Sequence, residues 1–333
     1  MKGVRLLGNC QVEIADLPDP TPSPEQVLIK VTASGICGGE VRAYKGPNAM
    51  TANPGHEVSG IVEDPNGHPQ WKKGDRVGIF TLQGCGYCRW CRMGKGDFCE
   101  KVWIPSPTHC EYCVSRATGM VKLPDDVDAP LAVLLCGDGM GVPYGASTRA
   151  KVGPGDITCV FGCGPVGLGM VIVQSFLGAH VIAVDVNPVR LKYAKQFGAW
   201  QTLNPAETPN MVAALREMTD GIGPNKCFEA AGRQETLDIA MEATAPEGII
   251  VQVGHGKQSI DPQRLICRRN LTIFGNWVYH PGEFPTLLAM QRNGLRAERL
   301  ITGLYHYTDA AKGYKGAADG TEAKVILTYG PKP

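Results

Sequence analysis

Neither sign of charge dominates this chain. Across 333 residues, 33 Lys and Arg stand against 32 Asp and Glu, leaving a formal net charge of +1. That balance offers no basic face for a phosphate backbone and no stripe for an anionic membrane surface, so neither nucleic acid nor membrane is expected as a partner. No apolar run is long enough to cross a bilayer. The opening MKGVRLLGNCQVEIADL lacks the apolar core of a secretory signal. Internal repeats and low-complexity segments are missing too. What remains, 43% hydrophobic and 20% charged, is ordinary for a soluble globular protein. The length suits about two domains. Glycine (42), proline (25) and cysteine (13) are plentiful. The first two suit many turns and close backbone approaches. Cysteines without an export signal point to a reducing, cytoplasmic setting where thiols serve as metal ligands.

Four of those cysteines, Cys85, Cys88, Cys91 and Cys99, form C-x2-C-x2-C-x7-C within CGYCRWCRMGKGDFC. A short loop of this kind can wrap four thiolates around one tetrahedral Zn²⁺, and four sulfurs leave no open position, so the site reads as structural. Free or disulfide-bonded thiols are the alternative, but three this close can hardly all reach disulfide geometry.

The first part of the chain reads as β-rich. VLIKVTASGIC, VSGIVED and GDRVGIF are short apolar or alternating runs between Gly, Pro and Asp turns. After about Gly145 the texture changes. ITCVFG, HVIAVDV, KCFEAAG, IIVQVG and LTIFGNW read as strands, and PVGLGMVIVQSFLGA, VRLKYAKQFGA and TLDIAMEATAPEG as helices between them. Such alternation marks an α/β chain with a doubly wound parallel sheet. The tail ends in a strand pattern, KVILTY, with no helix after it, and is expected to return to the first domain. The expected division is residues 1–145 with the four-cysteine lobe at 84–100, residues 146–285 as a nucleotide-binding domain, and residues 286–333 returning.

Strand ITCVFG runs into Gly162-Cys-Gly164-Pro165-Val166-Gly167, a G-x-G-x-x-G that opens a helix. Asp185 follows at the end of the next strand, 21 residues past Gly164. This is the context a dinucleotide fingerprint requires. Gly162 permits the tight turn, Gly164 lets the backbone approach a pyrophosphate, and Gly167 lets helix and strand pack closely. A carboxylate at Asp185 bonds ribose hydroxyls and repels a 2′-phosphate, which favours NAD over NADP. Arg190 can lie over the ribose and soften that preference.

GICGGE, GHE, the four-cysteine lobe, LLCGDGMGVPYGA and FGCGPVG occur in that order. The whole chain thereby resembles the zinc-dependent alcohol dehydrogenases of the medium-chain dehydrogenase/reductase family. The resemblance implies a GroES-like β-rich catalytic domain plus a Rossmann domain, with two Zn²⁺ per chain and NAD. It implies a catalytic zinc on Cys37, His56 and Cys136, which leaves a fourth position for water or substrate. Asp138 stands two residues past Cys136, in a region where some relatives place a Glu. Glu57 resembles the family's acid beside the ligating His, or an occasional alternate ligand. Gly254, closing IIVQVG, and Trp277, in LTIFGNW, are candidates for cofactor contact. Cys110, Cys113, Cys159 and Cys163 read as packing.

The chain departs from the family after its first zinc cysteine. A Ser or Thr, an Asp and a His are usual there; this chain has Gly39, Glu40 and Arg42. The hydroxyl is missing and the His has become a permanent cation. Glu40 is expected to take the Asp's place behind the ligating His. The proton path is left to water, to a neighbouring substrate hydroxyl, or to Tyr44 or Glu40. Arg42 is a candidate for contact with the cofactor or a hydroxyl-rich substrate. Gly39 should widen the pocket, so the expected small-molecule substrate is a polyol, cyclitol or sugar derivative oxidised at a secondary alcohol, or the reverse. A small alcohol or aldehyde and a non-catalytic nucleotide-binding relative are the alternatives. The resemblance also implies dimers or tetramers formed through the edge of the Rossmann sheet, to which IIVQVG and LTIFGNW are suited.

Overall fold

The computed structural model describes residues 1–50 and 54–330. The chain divides into two compact units. The first comprises Met1–Gly141, His280–Gln291 and the segment from Ala297 onward; the second comprises Val142–Tyr279 with Arg292–Arg296. The crossings thus fall a few residues before positions 145 and 285. No helix among the described residues is long and apolar enough to cross a membrane.

In the first unit, a hairpin of β1 (Lys2–Gly8) and β2 (Gln11–Asp16) precedes the ten-residue β3 (Gln26–Gly35). Helix α1 (Gly38–Lys45), β4 (Glu57–Asp64) and β5 (Arg76–Ile79) follow. Next come the one-turn helix α2 (Arg89–Arg92) inside the cysteine lobe, β6 (Tyr112–Arg116) and β7 (Met120–Lys122). The β-rich part closes on α3 (Ala129–Cys136) and the first residues of α4 (Asp138–Arg149), the rest of which belongs to the second unit. β3 is the hub: it pairs antiparallel with both β4 and β6. Its alternating apolar residues Val27, Ile29 and Val31 bury with Val58, Val62, Val77 and Ile79 in one core. α3 starts at a side-chain cap, Asp128 accepting from the Leu131 amide at 2.8 Å. Its run from Leu131 to Cys136 is buried throughout.

The second unit alternates β8 (Ile157–Phe161), α5 (Pro165–Phe176), β9 (His180–Val184), α6 (Pro188–Phe197), β10 (Gln201–Leu203), α7 (Met211–Glu217), β11 (Lys226–Glu229), α8 (Gln234–Ala243), β12 (Ile249–Gln252) and β13 (Thr272–Gly275). The strands form one parallel sheet in the order β10-β9-β8-β11-β12-β13. Strand order reverses between β8 and β11, the crevice where doubly wound sheets take ligands at their carboxyl ends. β13 is one of the two outer strands, with β10 at the other edge. β12, the IIVQVG segment expected at an edge, is enclosed between β11 and β13.

The chain then contributes α9 (Phe284–Met290), β14 (Ile301–His306), α10 (Ala310–Asp319) and β15 (Lys324–Thr328) to the first unit. β15 pairs parallel with β14 and antiparallel with β3, which ties the tail into the centre of that sheet.

Candidate metal and nucleotide sites

The four cysteines of the lobe place their sulfurs within 4.8 Å of one another. Cys88 and Cys91 are 3.5 Å apart, and Cys85 and Cys91 are 4.0 Å apart. Four sulfurs at zinc–thiolate distance on a tetrahedron lie about 3.8 Å apart, so this donor set fits the ion. Backbone N–H groups of Cys85 and Lys101 each donate to Cys99 Sγ at 3.3 Å, as they would to a thiolate. The sulfurs differ. Burial raises Cys85, but the Tyr87 and Cys88 amides and neighbouring thiols outweigh it and bring the group down to about 6. Burial and the adjacent sulfurs push Cys91 up to about 12.

A second cluster gathers Cys37, His56, Glu57 and Asp138, whose ligand atoms also lie within 4.8 Å of one another. Cys37 precedes α1, His56 immediately precedes β4, Glu57 opens β4, and Asp138 opens α4. Asp138 Oδ2 is 3.3 Å from His56 Nε2 and 3.8 Å from Cys37 Sγ. Thiolate, imidazole and carboxylate converging on one point form a three-donor set with room for a fourth ligand, which suits a divalent ion such as Zn²⁺. Cys136 is not in the cluster. Gly137 is extended (φ −106°, ψ −165°) between α3 and α4. That break turns the side chains on either side of it to different faces. The Cys136 sulfur packs over Gly78 of β5, 2.5 Å from where a Cβ on that glycine would sit. The third donor beside Cys37 and His56 in this cluster is thus Asp138 rather than the expected Cys136.

Glu40 stands behind His56, with Oε1 3.3 Å from His56 Nδ1. It is 5% exposed. Burial alone would raise it, but charge and hydrogen bonds from His109 and His56 hold its carboxyl well below the usual range. Glu57 is fully buried on the other side. Its Oε1 pairs with Lys324 Nζ of β15 at 2.5 Å, and Lys324 also donates to the Ile36 carbonyl at 3.0 Å. Burial opposes the Lys324 charge, yet Glu57 and Cys37 keep its pKa raised. Among the described residues, Glu57 Oε2 has no hydrogen-bond partner. An orphaned carboxylate oxygen beside three donors is what a site with an ion to receive would hold.

Among the described residues, an added Cβ at Gly38 or Gly39 would meet nothing within 4 Å, so the backbone next to Cys37 borders open space. Arg42 is exposed on α1. Tyr44 is buried against Tyr314, ring centroids 5.5 Å apart, and Glu40 is already filled with donors. Neither is placed to accept a substrate proton. Lys324, His109, Tyr314 and Ser34 were not legible as site residues. His109 sits in THCEYCV just ahead of β6, where the sequence offers no signal beyond a polar ring next to Cys110. Cys110 and Cys113 lie in the apolar core.

In the second unit, Gly162 has φ +93°, and its missing Cβ leaves room for Ala231 N, 2.9 Å away. A Cβ on Gly167 would collide with the Gly162 carbonyl, whereas Gly164, the residue before α5, faces open space. Pro165 and Val166 form the first turn of α5, whose free N–H groups suit an anion. Asp185 Oδ2 accepts from Cys163 N at 2.7 Å, and Oδ1 from Asn187 N at 2.8 Å. Arg190 Nη1 is 3.9 Å from Asp185. Gly254 N donates to the Glu229 carbonyl at 2.7 Å, close against the turn after β11. Trp277 follows β13 and is 54% exposed.

Fold and sites together define a two-unit enzyme with a nucleotide fingerprint and two metal-competent clusters. Residues 23–125 match the alcohol dehydrogenase GroES-like domain family, and residues 165–292 match the zinc-binding dehydrogenase family. The chain is 30% identical to "Probable D-xylulose reductase A" of Aspergillus fumigatus over 97% of this chain and 95% of that one. The alcohol dehydrogenase TADH of Thermus sp. ATN1 superposes with a TM-score of 0.90 at 27% identity, covering 99% of this chain and 100% of that one. An E. coli CFT073 structure described as a short chain alcohol dehydrogenase (rspB) with cofactor NADH gives 0.86 at 27% identity, covering 99% of both. The chain belongs to the zinc-dependent alcohol dehydrogenases of the medium-chain dehydrogenase/reductase family, and it is an oxidoreductase.

Proposed function

We propose that this chain is a two-zinc, NAD-linked dehydrogenase that interconverts a secondary alcohol of a polyol, cyclitol or sugar derivative with its ketone. The observation that carries the reading is the Cys37–His56–Asp138 convergence beside the unfilled space at Gly38 and Gly39. Bound there, Zn²⁺ supplies Lewis-acid polarisation of the substrate oxygen, and NAD supplies hydride acceptance. Cys37, His56 and Asp138 would hold the catalytic ion, and Cys85, Cys88, Cys91 and Cys99 the structural one. Glu40 keeps the His56 proton on Nδ1. Glu57, tethered by Lys324, keeps one oxygen turned to the ion as an alternate donor. Gly162, Gly164 and Gly167 with the first turn of α5 would cradle the pyrophosphate, and Asp185 the ribose. Arg190 is held toward Asp185, so the negative charge at the ribose still disfavours a 2′-phosphate.

With Glu40 and Tyr44 occupied, the alcohol proton goes to water or to a neighbouring hydroxyl of the substrate. A hydroxyl-rich substrate brings that hydroxyl with it, and the relative named for D-xylulose acts within the same chemical class. Arg42, exposed beside the open space, would serve such a substrate or the cofactor phosphates. Gly254 and Trp277 complete the cofactor side. Self-association to a dimer or tetramer through the outer strand β13 is part of this reading, as is a cytoplasmic setting that keeps the thiols reduced.

The test is reduction of NAD⁺ and NADP⁺, followed at 340 nm against polyols, cyclitols, sugars and simple alcohols, on protein whose zinc has been counted. Two zincs per chain, NAD⁺ turnover on hydroxyl-rich substrates and loss of turnover with chelator are expected. Faster turnover on ethanol than on any polyol would sink the substrate class.

A further inference from the structure

We propose that His109 is a positioning residue of the metal centre: it holds Glu40 so that His56 presents Nε2 to the metal. The inference rests on the metal-site reading above. Glu40 is the most heavily bonded side chain around the cluster. Its Oε1 accepts from Gly55 N at 3.0 Å and faces His56 Nδ1 at 3.3 Å. Its Oε2 accepts from Cys37 N at 3.2 Å, Tyr314 OH at 3.2 Å and His109 Nε2 at 3.0 Å. A carboxylate only accepts, so the proton on His109 Nε2 is assigned by its partner. At the other side of the ring, His109 Nδ1 lies 2.7 Å from Ser34 Oγ, which is 3.1 Å from Tyr329 OH.

His109 and Ser34 are fully buried, so no water replaces these partners at low cost. The line His56–Glu40–His109–Ser34–Tyr329 crosses five segments of the first unit, and Tyr329 lies just past β15. His109 also touches the turn that carries His56. Its backbone N–H donates to the Pro54 carbonyl at 3.2 Å. Gly55 (φ +107°) has no space for a Cβ against Thr108 and His109.

A ligating imidazole needs its far nitrogen protonated and fixed by an acceptor, and such outer partners are worth about 10–100-fold in metal affinity. Here the acceptor is itself fixed. Two contacts aim Oε2 from outside the metal-bearing segments, Tyr314 OH and His109 Nε2, and of these His109 is the shorter and also bonds the turn before His56. Phenylalanine would fill the same volume and remove both ring hydrogen bonds. Glutamine restores an N–H toward Glu40.

The experiment compares wild type, His109→Phe, His109→Gln and Ser34→Ala. Zinc is counted per chain, chelator competition follows release of each zinc, and the visible d–d spectrum of Co²⁺-loaded protein reports geometry at the centre. Expected for His109→Phe is about tenfold or greater weakening of one zinc, with the lobe zinc unchanged and an altered cobalt spectrum. His109→Gln should recover most of both, and Ser34→Ala should fall between wild type and His109→Phe. Two zincs held as tightly in His109→Phe as in wild type would overturn the proposal, and so would His109→Gln behaving no better than His109→Phe. If His109→Phe fails to fold, the Gln and Ala variants decide: an unchanged cobalt spectrum and unchanged zinc release in Ser34→Ala, with His109→Gln impaired, would overturn it. A wild type that binds only the lobe zinc would instead overturn the metal-site reading, and this inference with it.

Discussion

The two metal-competent regions of the first unit are built on opposite plans. The lobe draws four like donors from residues 85–99, while the other cluster draws a thiolate, an imidazole and carboxylates from residues 37, 56, 57 and 138. In the lobe, sequence spacing is nearly the geometry, because a short loop cannot place its sulfurs far apart. In the second cluster, spacing says little, and a single backbone break decides which side chain arrives. The packing differs in the same sense. A Cβ on Gly84 would collide with Cys91 Sγ, whereas one on Gly39 would meet nothing. One site is filled and closed; the other borders space.

The largest effect should come from exchanging the two candidates on either side of Gly137. Asp138→Ala is expected to lose the second zinc and lower kcat/KM by more than about 100-fold, since a ligand must count for more than the 10–100-fold of an outer partner. Cys136→Ala should keep both zincs and near-normal turnover, at a stability cost of about 1 kcal/mol. Metal counting and steady-state kinetics on both variants check this. The opposite ranking would restore Cys136 and dissolve the contrast between the sites.

Next in size is the lobe. Cys99→Ser should remove the structural zinc and lower the thermal midpoint by roughly 10 °C, as expected for several kcal/mol lost from a large domain. Activity of the molecules still folded should be largely kept. Gly84→Ala should do the same through the Cys91 collision, with no ligand touched. A midpoint unmoved by Cys99→Ser would mean that the lobe does not contribute to stability. Gly39→Ser, by contrast, should leave the midpoint unchanged within about 1 °C, because the site is open and surface-like changes cost little. Its added hydroxyl should narrow the space and lower the ratio of polyol to ethanol kcat/KM by roughly tenfold.

Legibility followed the range of the constraint. The lobe, the glycine fingerprint with Asp185, and the alternation of strand and helix are local patterns, and each was readable residue by residue. The strand order and the return of KVILT to β3 depend on pairing between distant segments. The Lys324–Glu57 pair is invisible for the same reason: its partners are 267 positions apart. Cys136 stands apart from the cluster because it ends an apolar helix, where every residue from Leu131 is buried and a thiol packs as one more core side chain. His109 carries no such local pattern: it lies in the irregular segment before β6, and only the arrival of Glu40, Ser34 and Tyr314 from other elements gives its ring partners.

The smallest effect sharpens the contrast inside the lobe itself. With zinc stripped by chelator, Cys85 near 6 is mostly thiolate at neutral pH, while Cys91 near 12 remains a thiol. The thiolate is the nucleophile, so iodoacetamide at pH 7 should label Cys85 first. The sign is fixed by the depressed value: lowering the pH from 7 to 5 takes Cys85 through its pKa and should slow its labelling about tenfold. Cys91 should stay slower than Cys85 throughout. Peptide mapping by mass spectrometry over a pH series reads both. Equal labelling of all four cysteines, rising together near the ordinary thiol value, would show that the lobe keeps its shape only while metal holds it. The closed site would then owe its geometry to the ion, and the open one, braced by Glu40, His109 and Lys324, would be the more preorganised of the two.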